Sequence, residues 1–438
     1  MANHGDDFAL ARVSADAKRP TWEILVIRIG SLACVSQLML GAALGYGMTF
    51  WGALGATMVG SVLLQVVSWA IGTAAAKEGM STSLLSRWAG FGKTGSSVIG
   101  GIIAISLVGW FGVQNSVFAE GMYAVTGTLN VPIWAGLTGV AITVLVVFGI
   151  KAISKVATVF VPLFILAVIY AAVVMLTGHS IGDYLSTPPP GPALTFAAAT
   201  TMVAGGFMIG AVTTPDTARY LRGGKQVFWM TLIGTFVGEL GMNLIAVLLA
   251  HATGTDSIVD IMMTLTGWIG ASIVIFSTVK LNDVNLYSSS LGLATMINAL
   301  FNARIGRTTL TWVLGLGGTA LSMIGIINYF TTFLTVLGVA IPPIAGIIVV
   351  DYYVLKRDRA ALDESRASGE LPTSVDTWNP VAIGVWIAAF LIGQFVGLGI
   401  PAINSLVSAG VLYWVAMQVV AKTRKSGEAT FARTEMVA

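Results

Sequence analysis

Apolar runs of about 20 residues recur along this chain from Ile24 to Val420, roughly twelve of them, each long enough to cross a bilayer as a helix. Inside lipid every backbone N–H and C=O must find its partner within the chain, so such runs are forced into helices. The short alternating strands of a membrane β-barrel are absent. The expected fold class is therefore an all-α polytopic membrane protein folded as one bundle. Of the 438 residues, 56% are hydrophobic and only 10% charged, where a soluble domain carries about 25% charged residues. No polar insert is long enough to form a second domain.

The placement of the charges is more informative than their sum. Arg12, Lys18 and Arg19 precede the first span, and Lys77, Arg87 and Lys93 fall between spans two and three. Lys151 and Lys155 lie between four and five, Arg219, Arg222 and Lys225 after six, and Arg304 and Arg307 after eight. Lys356, Arg357, Arg359 and Arg366 follow span ten, and Lys422, Arg424, Lys425 and Arg433 are in the tail. The alternate loops carry none. The positive-inside rule then puts both termini in the cytoplasm of a cell-membrane protein with an even number of spans. The net charge of +3 gives no reason to expect nucleic acid. Cys34 is the single cysteine, so no disulfide framework is expected. The first twenty residues lack an apolar core, so no cleaved signal is expected. His4, His179 and His251 have no metal-ligand spacing, and no metal or cofactor is expected.

Spans one and six are alike. The first, about Ile24–Met48, contains Gly30, Ser31, Ser36, Gln37, Gly41 and Gly45, the last two at the spacing of close helix packing. The sixth, about Leu194–Thr214, contains the pair Gly205–Gly206 and ends at Thr213-Thr214-Pro215-Asp216; the glycine pair and Pro215 are both helix breakers. Interrupted segments at matching positions of two halves point to a transport site. Five spans plus five, with two appended, fits an inverted repeat. The divisions expected are a cytoplasmic tail (1–23), a first repeat (24–177), a second repeat (194–350), a cytoplasmic loop (351–378), two further spans (379–421) and a tail (422–438).

Of the 23 Lys and Arg residues, only Arg28 and Lys280 fall inside apolar runs. Arg28 is near enough to the start of its span to snorkel toward the cytoplasm. Lys280, within S-T-V-K-L-N-D-V-N-L-Y (Ser277–Tyr287), is too deep for that. An ammonium at a span centre costs roughly 2.5–3.5 kcal/mol, so it is expected to face a cavity or a partner. Glu120 and Glu239 are also in or near spans, and either would serve as partner to Arg28 or Lys280. Trp110 and Gln114, with Asn115 beside them, lie four apart on one helix face. An aromatic plane next to a carboxamide suits a flat heterocycle; a Trp packed against lipid or a neighbouring helix fits the periodicity equally well. Gly205, Gly206 and Phe207 offer free backbone beside a second aromatic, although packing is the commoner use of such a glycine pair. Asp216 and Arg219, three apart, read as a structural pair. G-F-G-K-T-G after span two lacks the first glycine of a phosphate loop, because Arg87 stands there.

Together, G-W-F-G, N-D-x-x-L-Y (Asn282, Asp283, Leu286, Tyr287), A-I-P-P (Ala340–Pro343) and D-Y (Asp351, Tyr352), in this order, resemble the nucleobase–cation symporter-1 family, which includes purine and cytosine permeases and hydantoin transporters. The resemblance implies a LeuT-like five-plus-five inverted repeat of about 12 helices with helices one and six broken. It also implies a secondary transporter, not an enzyme, that works as a monomer on a small planar heterocycle of cytosine, purine, uracil, hydantoin or allantoin type. In that family the base lies between aromatics of spans three and six, which correspond to Trp110 and Phe207. Gly205 and Gly206 correspond to the adjoining backbone, Asn282 to the span-eight amide, and Gln114 to the glutamine of the hydantoin-type members. The cytosine branch has a glutamine where Leu107 stands and a serine at Gly206, so the resemblance points to a cyclic amide or nucleobase and not to cytosine in particular. The family's sodium site corresponds to the carbonyls of Gly30 and Ala33 and to span-eight hydroxyls. Of the latter Ser277 remains, while Lys280 and Leu281 stand where the cytosine branch has threonines. The expectation is that Lys280 replaces sodium: protonated, it bridges the span-one carbonyls in the outward-facing state. Because burial disfavours an ammonium, it then releases a proton inside. A lysine that never deprotonates would give a uniporter.

Three other classes would need features of their own. An enzyme would need a nucleophile–base pair or metal ligands within the spans, and a channel a repeated pore. An amino-acid transporter on the same fold would hold a carboxylate on broken-helix N-termini and would not need two aromatics.

Overall fold

The computed structural model describes residues 11–148, 150–177, 180–423 and 431–435, with backbone alone at 148, 150–161 and 274–276. His4, His179, Arg424 and Lys425, and the side chains of Lys151 and Lys155, lie outside the described residues. Among the described residues, six helices are long and apolar enough to cross a bilayer unaided, or eight when the bent pairs Thr21–Leu32 with Val35–Gly47 and Ile258–Ile273 with Ser277–Phe301 each count as one. The remaining spans are shorter apolar helices such as Val131–Val147 and Pro380–Phe395.

Span one is two helices, Thr21–Leu32 and Val35–Gly47, bent by 51°. Poor helix formers flank the break, and Ala33 and Cys34 leave helical geometry with ψ of 75° and 168°. Span six breaks elsewhere than the glycines suggest. The helix Phe196–Val212 runs through Gly205–Gly206 without interruption and stops at Thr213-Thr214, before the short helix Pro215–Ala218. Pro215 has no N–H to continue the ladder, whereas glycine only weakens a helix that close packing supports.

The spans sort into two groups. Span one's second half packs on span seven (Gly224–Thr253), and span two (Phe50–Glu78) packs on span six. Gly41 and Gly45 let span one close onto Asn243 and Val247 of span seven, where a Cβ would collide with backbone. In the second group span three (Gly92–Thr126) lies along Ile258–Phe301, and Val131–Phe148 packs on Arg307–Met323. Asn115 belongs to this group: it donates to the Ala135 carbonyl at 2.8 Å and to Ser322 Oγ at 3.1 Å.

At the end bearing the N-terminus the loops are tied by buried ion pairs. The Glu78 carboxylate accepts from Arg12 at 2.9 Å, from Arg366 at 3.0 and 3.2 Å, and from the Tyr352 hydroxyl at 2.5 Å. Arg357 bridges Asp351 and Asp376 at 2.7 and 2.9 Å. Lys18 donates to the carbonyls of Ala76 and Arg219. In the G-F-G-K-T-G stretch, Gly90 and Gly92 have φ of 106° and 75° and admit Ile347 and Asp376 at close range. They serve packing, in keeping with the rejection of a phosphate loop.

Candidate functional site

A cavity of about 330 Å³ lies between the two groups. Its wall includes Gly30, Trp110, Gln114, Gly206, Phe207 and Lys280, drawn from spans one, three, six and eight. These positions are up to 250 residues apart and meet at the junction of the two groups.

Trp110 is 7% exposed and stacks edge-on against Phe333, with ring centroids 5.3 Å apart. That contact holds the indole in one orientation. Phe207 carries the Arg28 guanidinium on one face, 4.6 Å from the ring centre. Gln114 is buried at 3% exposure; it donates to Ser36 Oγ at 2.9 Å and accepts from Asn285 Nδ2 at 3.2 Å. These bonds set which way the amide points, as a heterocycle edge would require.

Four expected site residues do not line the cavity. Gly205 faces the backbone of Leu334 and Gly338 in Phe330–Ala340, where a Cβ would collide. Asn282 is fully buried, and neither its amide oxygen nor its nitrogen has a hydrogen-bond partner. Ala33 and Ser277 are buried beside the cavity wall and are not part of it. For Asn282 the reason is helical phase. Lys280, Leu281, Val284 and Asn285 form one stripe, from which Asn282 and Asp283 are turned away. Asn285 thus reaches Gln114, and the sequence signal for it was its register with Lys280.

Ser36, Gln37 and Arg28 are further wall residues that the sequence reading did not place in the site. Arg28 does not snorkel. It is 6% exposed and donates to the Gly210 carbonyl at 3.1 Å, Thr214 Oγ1 at 3.3 Å and Ser68 Oγ at 2.9 Å. The break at Thr213–Thr214 frees the Gly210 carbonyl, since Thr214 N–H turns to Ala211 instead. The Thr214 hydroxyl donates to that carbonyl at 3.1 Å, and Arg28 shares it, pinning the first half of span one to span six. Glu239, fully buried and accepting from Ser61 at 3.4 Å, lies within electrostatic reach of Arg28 without a direct ion pair. Glu120 lies toward Asp256 and Asp260 instead. Arg219 donates to the Asp216 carbonyl three residues before it, and the Asp216 carboxylate accepts from Thr82 N–H at 2.9 Å, which ties the end of span six to the segment after span two. Among the described residues, no hydrogen bond or ion pair is made by the Lys280 ammonium, which faces the cavity.

The sequence model of the family described as permease for cytosine/purines, uracil, thiamine, allantoin matches residues 16–416. The chain is 27% identical over 411 residues to the cytosine permease of Escherichia coli (strain K12), covering 94% of each. It is 24% identical over 401 residues to the hydantoin permease of Microbacterium maritypicum, covering 85% of this chain and 80% of that one. Its fold matches that of Mhp1, a nucleobase-cation-symport-1 family transporter solved in a closed conformation with bromovinylhydantoin bound. The TM-score is 0.74 at 21% identity, over 95% of this chain and 96% of that one. The broken first and sixth spans are those of a LeuT-like inverted repeat, and the chain is a multi-pass membrane permease, not an enzyme. By motif, by fold and by the extent of the match, this chain belongs to the nucleobase–cation symporter-1 family of cytosine, purine and related permeases.

Proposed function

We propose that this chain imports a nucleobase or related planar heterocycle by alternating access, coupled to protons, with Lys280 in the place of the family's sodium. The observation that carries the reading is the composition of one wall. A buried tryptophan, a phenylalanine, a hydrogen-bonded glutamine and a lysine that has no hydrogen bond or ion pair among the described residues converge on a cavity of about 330 Å³. That volume is at the small end of ligand pockets and suits a one- or two-ring solute. A relative of the same fold holds a hydantoin.

Trp110 and Phe207 bind the ring faces, Gln114 and Asn285 read an amide edge, and Gly206 lets the ring approach span six. The cavity reaches Ile27 and Thr217, at the end that carries Lys18 and the basic loops. By the positive-inside rule that end is cytoplasmic, as are both termini, and the cavity opens inward. In an inward-open state Lys280 is apart from the carbonyls of Gly30 and Ala33; in the outward state it would bridge them. The acting unit is a single chain in the cell membrane.

A thermal-shift screen of the purified protein against heterocycles and amino acids, with and without sodium, tests the reading. A ligand of the native state at 100 times its Kd adds about 2.7 kcal/mol of stability. Stabilisation by heterocycles without sodium is expected. Stabilisation by amino acids alone would refute the substrate class.

A further inference from the structure

The charge of the cavity wall is one-sided. Arg28 and Lys280 both line it, and none of its lining residues is an aspartate or glutamate. The acceptors that Arg28 finds are all neutral: the Gly210 carbonyl and the hydroxyls of Thr214 and Ser68. Glu239, behind the wall, can offset Arg28 at most, and Asp283 is turned off the cavity stripe without an ion pair to Lys280. The second half of span one also starts at this wall, with Ser36 and Gln37 in its first turn, so the positive end of a helix adds to the same field.

Water can solvate the ammonium while the cavity is open. Occlusion removes that water, and a dehydrated cation then needs an acceptor or a counter-charge. A neutral ring supplies no charge, and the span-one carbonyls that would accept from Lys280 in the outward state leave its charge uncompensated. From this we infer that the transported solute is an anionic planar heterocycle, a ring bearing a carboxylate or another ionised group, whose charge is met by Lys280. The inference rests on the reading of this cavity as a heterocycle site and narrows it. The ring occupies the space between Trp110 and Phe207, and its anionic substituent points to span eight. Loss of the anion into the cytoplasm leaves Lys280 without its counter-charge.

The test compares matched probes on the purified full-length protein: uracil against orotate, which is uracil with a ring carboxylate, and hydantoin against hydantoin-5-acetate, all at neutral pH. Charge-assisted hydrogen bonds exceed neutral ones by enough that each anion should bind about tenfold or more tightly than its neutral partner. Lys280→Gln should abolish that preference, and Lys280→Arg should keep it. Neutral probes binding as tightly as the anions would overturn the inference and leave the heterocycle site standing. A preference that persists in Lys280→Gln would also overturn it. If no heterocycle of either kind binds, the heterocycle reading falls and this inference with it.

Discussion

The two adjacent glycines of span six should respond to substitution in opposite ways. An alanine Cβ at Gly205 would lie against the Leu334 carbonyl, with Gly338 N and the Leu334 carbonyl carbon both at 2.8 Å. These are backbone atoms and cannot rotate aside, so spans six and ten must separate. Gly338 meets Thr201 at the same crossing, which leaves no slack on the other side. Overpacking costs typically 1–3 kcal/mol and sometimes more; a clash with backbone on both sides puts Gly205→Ala at about 3 kcal/mol, or roughly a hundredfold in the folding equilibrium. A Cβ at Gly206 meets only Leu40 Cδ2, at 2.9 Å, the far end of a flexible side chain. Gly206→Ala should therefore cost less than about 1 kcal/mol but shrink the cavity that Gly206 lines. Thermal unfolding in detergent, with and without a bound heterocycle, reads both quantities. Gly205→Ala should melt several degrees lower with its ligand-induced shift retained in whatever folds. Gly206→Ala should melt with the wild type and lose most of that shift. Equal melting temperatures for the two variants would refute the division between a packing glycine and a site glycine.

Three further outcomes are expected. Uptake into proteoliposomes should run on a proton gradient without sodium; sodium-stimulated uptake that survives Lys280→Ala would sink the replacement of sodium by lysine. Gln114→Leu strands the Asn285 amide and the Ser36 hydroxyl, at about 1–3 kcal/mol for each stranded group, and should weaken heterocycle binding at least tenfold by calorimetric titration. Glu78→Gln removes the anion between Arg12 and Arg366 and should destabilise by about 3–5 kcal/mol in denaturant unfolding, without changing which ligands bind.

Much of this molecule was legible in one dimension because lipid constrains it so tightly. Twenty apolar residues must be a helix, loops sort by charge, and a lysine in mid-span must face something other than hydrocarbon. Those arguments concern single segments, and they yielded the bundle, the special status of Lys280, and Trp110 with Gln114 on one face. What the sequence alone left open depends on rotation and partner. Asn282 and Asn285 are equivalent as letters; only the phase of span eight against span three sends Asn285 to Gln114 and buries Asn282. Gly205 and Gly206 differ only in which helix each faces. Arg28, five residues before the break at Ala33, became a staple because the Gly210 carbonyl and the hydroxyls of Thr214 and Ser68 converge on it. Local chemistry decides which groups need a partner, and tertiary packing decides which partner each one meets, since that choice rests on distances between residues the chain order keeps far apart.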